Sequence, residues 1–149
     1  MTAPALPLCL TASIREQKAL RFNERAEVRW FGFQGAFVEP GESVIRLLHR
    51  EAGAPGGGGS AALTGGLIAA GFDSAAVLVG LGHYESEVVV TLDLSVRFLR
   101  LAHADRADQF AARLVKSTRA VAFVEGELRH AARPADPPFA TLTTMVAPA

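Results

Sequence analysis

Cysteine, tryptophan and tyrosine occur once each in this 149-residue chain, and neither sign of charge is in excess, with 15 Lys+Arg against 15 Asp+Glu. Each shortage excludes something. A lone Cys9 forms no internal disulfide, and His49, His83, His103 and His130 are too scattered for metal-ligand spacing, so no metal site is expected. Balanced charge does not build the basic surface that nucleic acid requires. The apolar stretch Leu6 to Leu10 is short and has no basic residues before it, so a secretory leader is not expected and a reducing cytoplasm is the default location. What remains is half apolar and one-fifth charged, the composition of a soluble globule large enough to bury a core as a single domain, 1–149.

Long apolar runs are also scarce, and the one present is informative. From Ala61 to Gly82 the only charge is Asp73. An Asp at the centre of a membrane span costs about 2.5–3.5 kcal/mol on insertion, and this run holds five glycines with no basic flank. No membrane partner is expected. The run reads as a buried helix over about residues 66–81, apolar nearly all round and so inside the protein.

Around it the pattern is mixed. Ala12 to about Phe31 intersperses charges with Ile14, Leu20, Phe22, Val28 and Trp30, the spacing of one or two short amphipathic helices within an N-terminal helical segment, 1–33. Gly35–Glu39 and Glu42–Leu48 flank Pro40-Gly41 as a hairpin. Residues 52–64 are a glycine-rich loop. Its Gly53…Gly58-Gly59-Ser60 has the glycine spacing of a phosphate-binding loop, but Gly59 stands where the lysine is needed. Then Val88, Val90, Leu92, Leu94, Val96 and Phe98 alternate with Glu87, Thr91, Asp93, Ser95 and Arg97, giving a long strand with one buried face. Phe110–Val115 and Ala120–Leu128 flank a polar turn, Lys116 to Arg119, and Phe139–Val146 is a last β-branched run. The class is α+β: an antiparallel sheet curled around a buried helix.

Two features carry chemistry. Asp73 lies about two turns into the apolar helix, and a buried carboxylate without a partner costs several kcal/mol, so it is paired, wet or functional. Thr64-Gly65-Gly66 opens the same helix, where free backbone N–H groups and the dipole favour negative charge, and glycine lets a ligand carbonyl approach. An oxyanion hole requires those properties. An ordinary loop-to-helix entry has the same glycines, and a capping carboxylate explains an Asp equally well.

The two features together resemble a known signature. Thr64-Gly-Gly-Leu-Ile-Ala-Ala-Gly-Phe-Asp73-Ser-Ala is similar to the His-Gly-Gly-(six residues)-Asp-(Ser/Thr)-Ala run of hotdog-fold acyl-CoA thioesterases of the phenylacetate-degradation type. Val90-Thr-Leu-Asp-Leu-Ser-Val-Arg-Phe-Leu-Arg100 resembles that family's long strand, Lys116-Ser-Thr-Arg119 its basic turn, and Phe139-Ala-Thr-Leu-Thr-Thr144 its final strand. The likeness runs from about Val28 to the C-terminus. Two departures stand out: Thr64 replaces the family's His, and no Asn or Gln precedes it between Ala52 and Thr64, where many relatives have one to orient the thioester or water.

The resemblance implies a hotdog fold and hydrolysis of an acyl-CoA with a medium-sized or aromatic acyl group, with no cofactor beyond the CoA of the substrate. It implies that Asp73 is the carboxylate acting as nucleophile or as base for water, that the Gly65 N–H polarises the thioester carbonyl, and that Thr91 positions the water. Thr64 and Gly66 would flank the substrate, and Lys116 and Arg119 would meet the CoA phosphates. Spacing adds a separate expectation: Gly65 and Asp73 lie about 12 Å apart along a helix, so one chain cannot bring both to one carbonyl. A homodimer with shared sites follows if the pair is catalytic, with a dimer of dimers as a further assembly. The alternative function is a non-catalytic hotdog dimer that binds acyl-CoA or a related ligand. A hydratase or dehydratase is more distant, because no His lies near Asp73 in sequence.

Overall fold

An all-round apolar helix is stable in water only if something wraps it, and the chain supplies a curled sheet. The computed structural model describes residues 10–48 and 61–149. Cys9, His49 and most of the glycine-rich loop, including Gly53 to Ser60, lie outside the described residues. The elements run α1 (Ala12–Asn23), α2 (Ala26–Trp30), β1 (Phe33–Phe37), β2 (Glu42–Leu47), α3 (Gly65–His83), β3 (Val89–Phe98), β4 (Gln109–Ser117), β5 (Ala122–Arg129) and β6 (Ala140–Pro148). The six strands form one antiparallel sheet in the order β1-β2-β4-β5-β6-β3, with α3 packed on its inner face. This is the hotdog architecture.

Local chemistry sets the boundaries. Thr64 caps α3, its hydroxyl accepting from the Leu67 N–H at 3.2 Å. Gly41 takes the positive φ (80°) of the hairpin turn behind Pro40. Along α3, Gly71 is where the sheet comes closest: a Cβ there would collide with the Phe110 ring. That ring is fully buried and also meets Phe72 edge-on at 5.3 Å. Helix and sheet therefore interlock around Phe110, with Ile45, Leu78, Val124, Leu128 and Val146 completing the centre.

The long strand β3 departs from strict alternation. Thr91 pairs with Val146 and Asp93 with Met145, leaving Leu92 as the extra residue of a bulge. Upstream of it the phase is reversed. Val89 is buried against Gly80, whereas Val88, Val90 and Leu92, expected inside, are 54%, 41% and 53% exposed. Downstream, Val96 packs on the core as expected, but Leu94 and Phe98, also expected inside, are exposed. A second bulge, at Val115 in β4, pairs Lys116 with Phe123 and leaves Ser117 buried opposite Ala122. The expected polar turn Lys116–Arg119 is thus shorter, with Lys116 and Ser117 in the strand.

The far end of α3 is closed by a residue that reads as solvent-facing. Lys18 of α1 is 3% exposed, and its ammonium donates to the carbonyls of Leu81 (2.8 Å), Tyr84 (2.7 Å) and Ser86 (2.8 Å). Helix-terminal carbonyls lack intrahelical donors and form the negative end of the dipole, so a cation fits there. Burial lowers the Lys18 pKa from its ordinary value, and Glu87 opposes that shift. Lys18→Met should cost about 3 kcal/mol in urea unfolding, because the carbonyls lose a charged donor.

His83, in the last turn of α3, is 1% exposed. Neither of its ring nitrogens has a hydrogen-bond partner among the described residues. Burial lowers its pKa from 6.5. The unfolded chain therefore binds the proton more readily, so stability is constant above about pH 6.5 and falls as pH drops through that value toward the folded pKa. His83→Leu should flatten this: between pH 7.5 and pH 5 its melting temperature should fall less than that of the unsubstituted protein in a thermal scan.

Candidate active site

On α3, the least covered flank holds Gly65 and Gly66, both exposed, then Ala69, Ala70, Asp73 and Ser74, all half-buried. Asp73 is the only charge in the helix apart from what His83 can carry. Its Oδ1 accepts a short hydrogen bond from the Thr91 hydroxyl. Thr91 reaches it because the Leu92 bulge puts Thr91, and not Leu92, opposite Val146. The bond fixes one carboxylate oxygen, and Oδ2 has no hydrogen-bond partner among the described residues.

Thr64, Gly65 and Gly66 lie together at the opposite end of the same flank. Because Thr64 is the N-cap, Gly65 and Gly66 are the first two residues of the helix. The Thr64 hydroxyl already accepts from Leu67, while the N–H groups of Gly65 and Gly66 have no intrahelical acceptor by geometry. A Cβ on Gly66 would meet nothing within 4 Å, and one on Gly65 only the Phe98 ring at 3.4 Å. The opening is held in place by the loop after β3: Leu63 donates to the Ala102 carbonyl (2.8 Å) and Ala104 to the Ala61 carbonyl (3.0 Å). The result is a fixed pair of N–H donors at the positive end of a 19-residue helix.

The structure brings Asp73 to Thr91, and Thr64 to Gly65 and Gly66, but does not join the two groups. Both lie on one helix, about 12 Å apart along its axis. Lys116 and Arg119 are elsewhere again. Lys116 is exposed at the end of β4 and paired with Phe123, on the outer side of the sheet. Arg119 is exposed in the turn after β4, whose Thr118 carbonyl accepts from the Tyr84 hydroxyl at 2.8 Å. That turn therefore sits at the C-terminal end of α3, away from Gly65 of the same chain. Sequence reasoning missed Thr144, whose hydroxyl donates to the Asp93 carbonyl beside the bulge. No sequence signal marks it, since its role depends on a register slip.

Comparisons with known proteins agree with this fold. Residues 62–134 match the Thioesterase superfamily. No curated protein sequence matches the chain. Among solved structures, the PaaI protein of the Escherichia coli phenylacetic acid degradation operon is similar with a TM-score of 0.75 at 14% identity, covering 93% of this chain and 95% of that one. A thioesterase family protein from Silicibacter pomeroyi is similar at 0.72 and 22% identity, covering 89% and 96%. The phenylacetic acid degradation protein PaaI from Thermus thermophilus, in a mutant form, is similar at 0.67 and 20% identity, covering 84% and 100%. At these identities the solved structures speak for the fold. The matched segment runs from the entry of α3 past the end of β5 and holds Thr64, Gly65, Asp73 and Thr91: over these residues the chain is similar to the thioesterase superfamily, and its fold is the hotdog fold.

Proposed function

We propose that this protein hydrolyses acyl-CoA thioesters to the free acid and CoA, in sites shared between two copies of the chain. The observation that carries the reading is the Thr91–Asp73 hydrogen bond on the open flank of an otherwise apolar helix. It leaves one carboxylate oxygen oriented and unspent. In the proposed step Asp73 Oδ2 takes a proton from water as the water oxygen attacks the thioester carbonyl carbon. The Gly65 N–H holds the resulting oxyanion. The tetrahedral intermediate then collapses, the C–S bond breaks, and the CoA thiolate leaves, taking back the proton from Asp73.

Sharing follows from the geometry. Gly65 and Asp73 are separated by about 12 Å on one helix, whereas each must lie within about 3 Å of the reacting atoms. Two α3 helices packed antiparallel about an axis near Ala69, midway between them, would bring Gly65 of one level with Asp73 of the other. The small side chains of Ala69 and Ala70 permit that approach. Edge strand β3 offers the matching surface: it ends the sheet and exposes Val90, Leu92, Leu94 and Phe98, followed by Leu99 and Leu101. An unpaired apolar edge invites a second strand. In such a pair the turn that holds Arg119, at the C-terminal end of α3, would lie toward its own Asp73 and could meet the phosphates of CoA, with Lys116 beside it on the outer side of the sheet. The acyl group would meet Ala, Leu, Val and Phe side chains, which suits a medium-sized or aromatic acyl.

The test is release of free CoA, followed with DTNB, from a panel of aliphatic, aromatic and hydroxylated acyl-CoAs. Turnover of an aromatic or medium-chain ester is the expected result. Measurable binding of CoA esters with no turnover on any of them would replace the enzyme by the second reading, a non-catalytic acyl-CoA-binding dimer. That reading is favoured by one observation, the Thr64 hydroxyl being committed to the helix cap where the family has His.

A further inference from the structure

The hydrophobic pattern of β3 argues against the register the strand adopts. Without a bulge, Leu92 would pair with Val146 and Thr91 with Ala147. Val90 and Leu92 would then turn inward and Thr91 outward, because a one-residue slip exchanges the faces of a strand. That register would also turn the buried Val89 outward, whereas the structure pairs Thr91 with Val146 and leaves Val90 and Leu92 exposed in the single chain. One local contact favours the bulge. At the residue where pairing resumes, the Asp93 carbonyl accepts a short hydrogen bond from the hydroxyl of Thr144, which is 4% exposed on β6 and pairs in register with Leu94. A bulge disrupts the ladder at its own residues, and a buried hydroxyl must find an acceptor. Thr144 meets both needs with one bond.

We propose that Thr144 is a positioning residue of the site: its hydroxyl clamps the Leu92 bulge and so keeps Thr91 turned onto Asp73. The inference rests on the thioesterase reading for its catalytic consequence, but its structural half stands apart. Without the clamp, β3 slips upstream of Asp93, Leu92 replaces Thr91 beside Asp73, and the carboxylate loses the donor that orients it. The substrate-facing glycines at the start of α3 are untouched. The defect therefore falls on the chemical step and spares binding.

The experiment pairs cross-strand NOEs in labelled protein with acyl-CoA kinetics, in Thr144→Val and Thr144→Ser. The unsubstituted and serine proteins should show Thr91–Val146 and Asp93–Met145 contacts. Thr144→Val should show Leu92–Val146 and Thr91–Ala147 contacts instead, with kcat reduced about tenfold or more by the misplaced group and KM little changed. Thr144→Ser should restore both register and kcat. A valine variant that keeps the Thr91–Val146 contact overturns the proposal, whatever its activity. Should Thr144→Val fail to fold, deleting Leu92 in the same chain removes the residue that the bulge accommodates. Recovery of folding and of the Thr91–Val146 contact is expected, and no recovery overturns the proposal. If the unsubstituted protein hydrolyses no acyl-CoA, the thioesterase reading fails while the NOEs still decide what Thr144 does.

Discussion

Asp73→Asn should lower kcat/KM for CoA release by about 10²–10⁴-fold, the range spanned by a positioned general base, while leaving the fold and the copy number unchanged. Asparagine keeps the size of the side chain and can still accept from Thr91 through its amide oxygen, so the Thr91–Asp73 contact survives. What disappears is the basic Oδ2. Asp73→Ala should be as inactive and should also leave the Thr91 hydroxyl without its acceptor, so it tests chemistry and support together. The two variants separate roles by comparison: equal losses place the function on the carboxylate charge, and a much larger loss in alanine places it on the Thr91 hydrogen bond. DTNB kinetics on the best ester of the panel provides the measurement, with far-UV circular dichroism and sedimentation as controls for fold and assembly. Retained turnover in both variants would remove Asp73 from the mechanism.

Much of this was legible before any coordinates, and the reasons are physical. The apolar run after the glycine loop can only be a core helix, and α3 spans Gly65–His83, slightly longer than the expected 66–81. The interval from Gly65 to Asp73 places both on one flank of that helix, and the structure finds those positions exposed and half-buried. Other features were illegible because they arise from pairing between distant segments. The run Val88 to Phe98 alternates without a break, so no sequence reading locates the Leu92 bulge. Lys116 and Ser117 look like a turn by composition, but the Val115 bulge keeps them in β4. Lys18, in an amphipathic helix, reads as a solvated charge, yet three carbonyls at the end of α3 draw it into the interior. In each case a backbone group some sixty residues away, or on a neighbouring strand, decided the outcome.

Gly65→Pro offers the sharpest test of the shared site, because the substitution removes one N–H and little else. Gly65 is the first residue of α3, where proline is well tolerated since that N–H has no intrahelical acceptor. The preceding Thr64 already has the extended backbone that proline requires of its neighbour (φ −69°, ψ 150°). An added Cβ meets only the Phe98 ring, at an ordinary 3.4 Å. Stability should therefore be nearly unchanged, while loss of an oxyanion donor should reduce kcat by about 10²–10³-fold. The decisive arm is complementation. Gly65→Pro and Asp73→Ala are each nearly inactive alone, but a mixed dimer contains one site with both defects and one with neither. Unfolding the two variants together and refolding them at equal concentration should thus return about a quarter of the activity of the unsubstituted protein, since half the dimers are mixed and each carries one intact site of two. If both groups instead acted within a single chain, every site in the mixture would carry a defect and no activity would return.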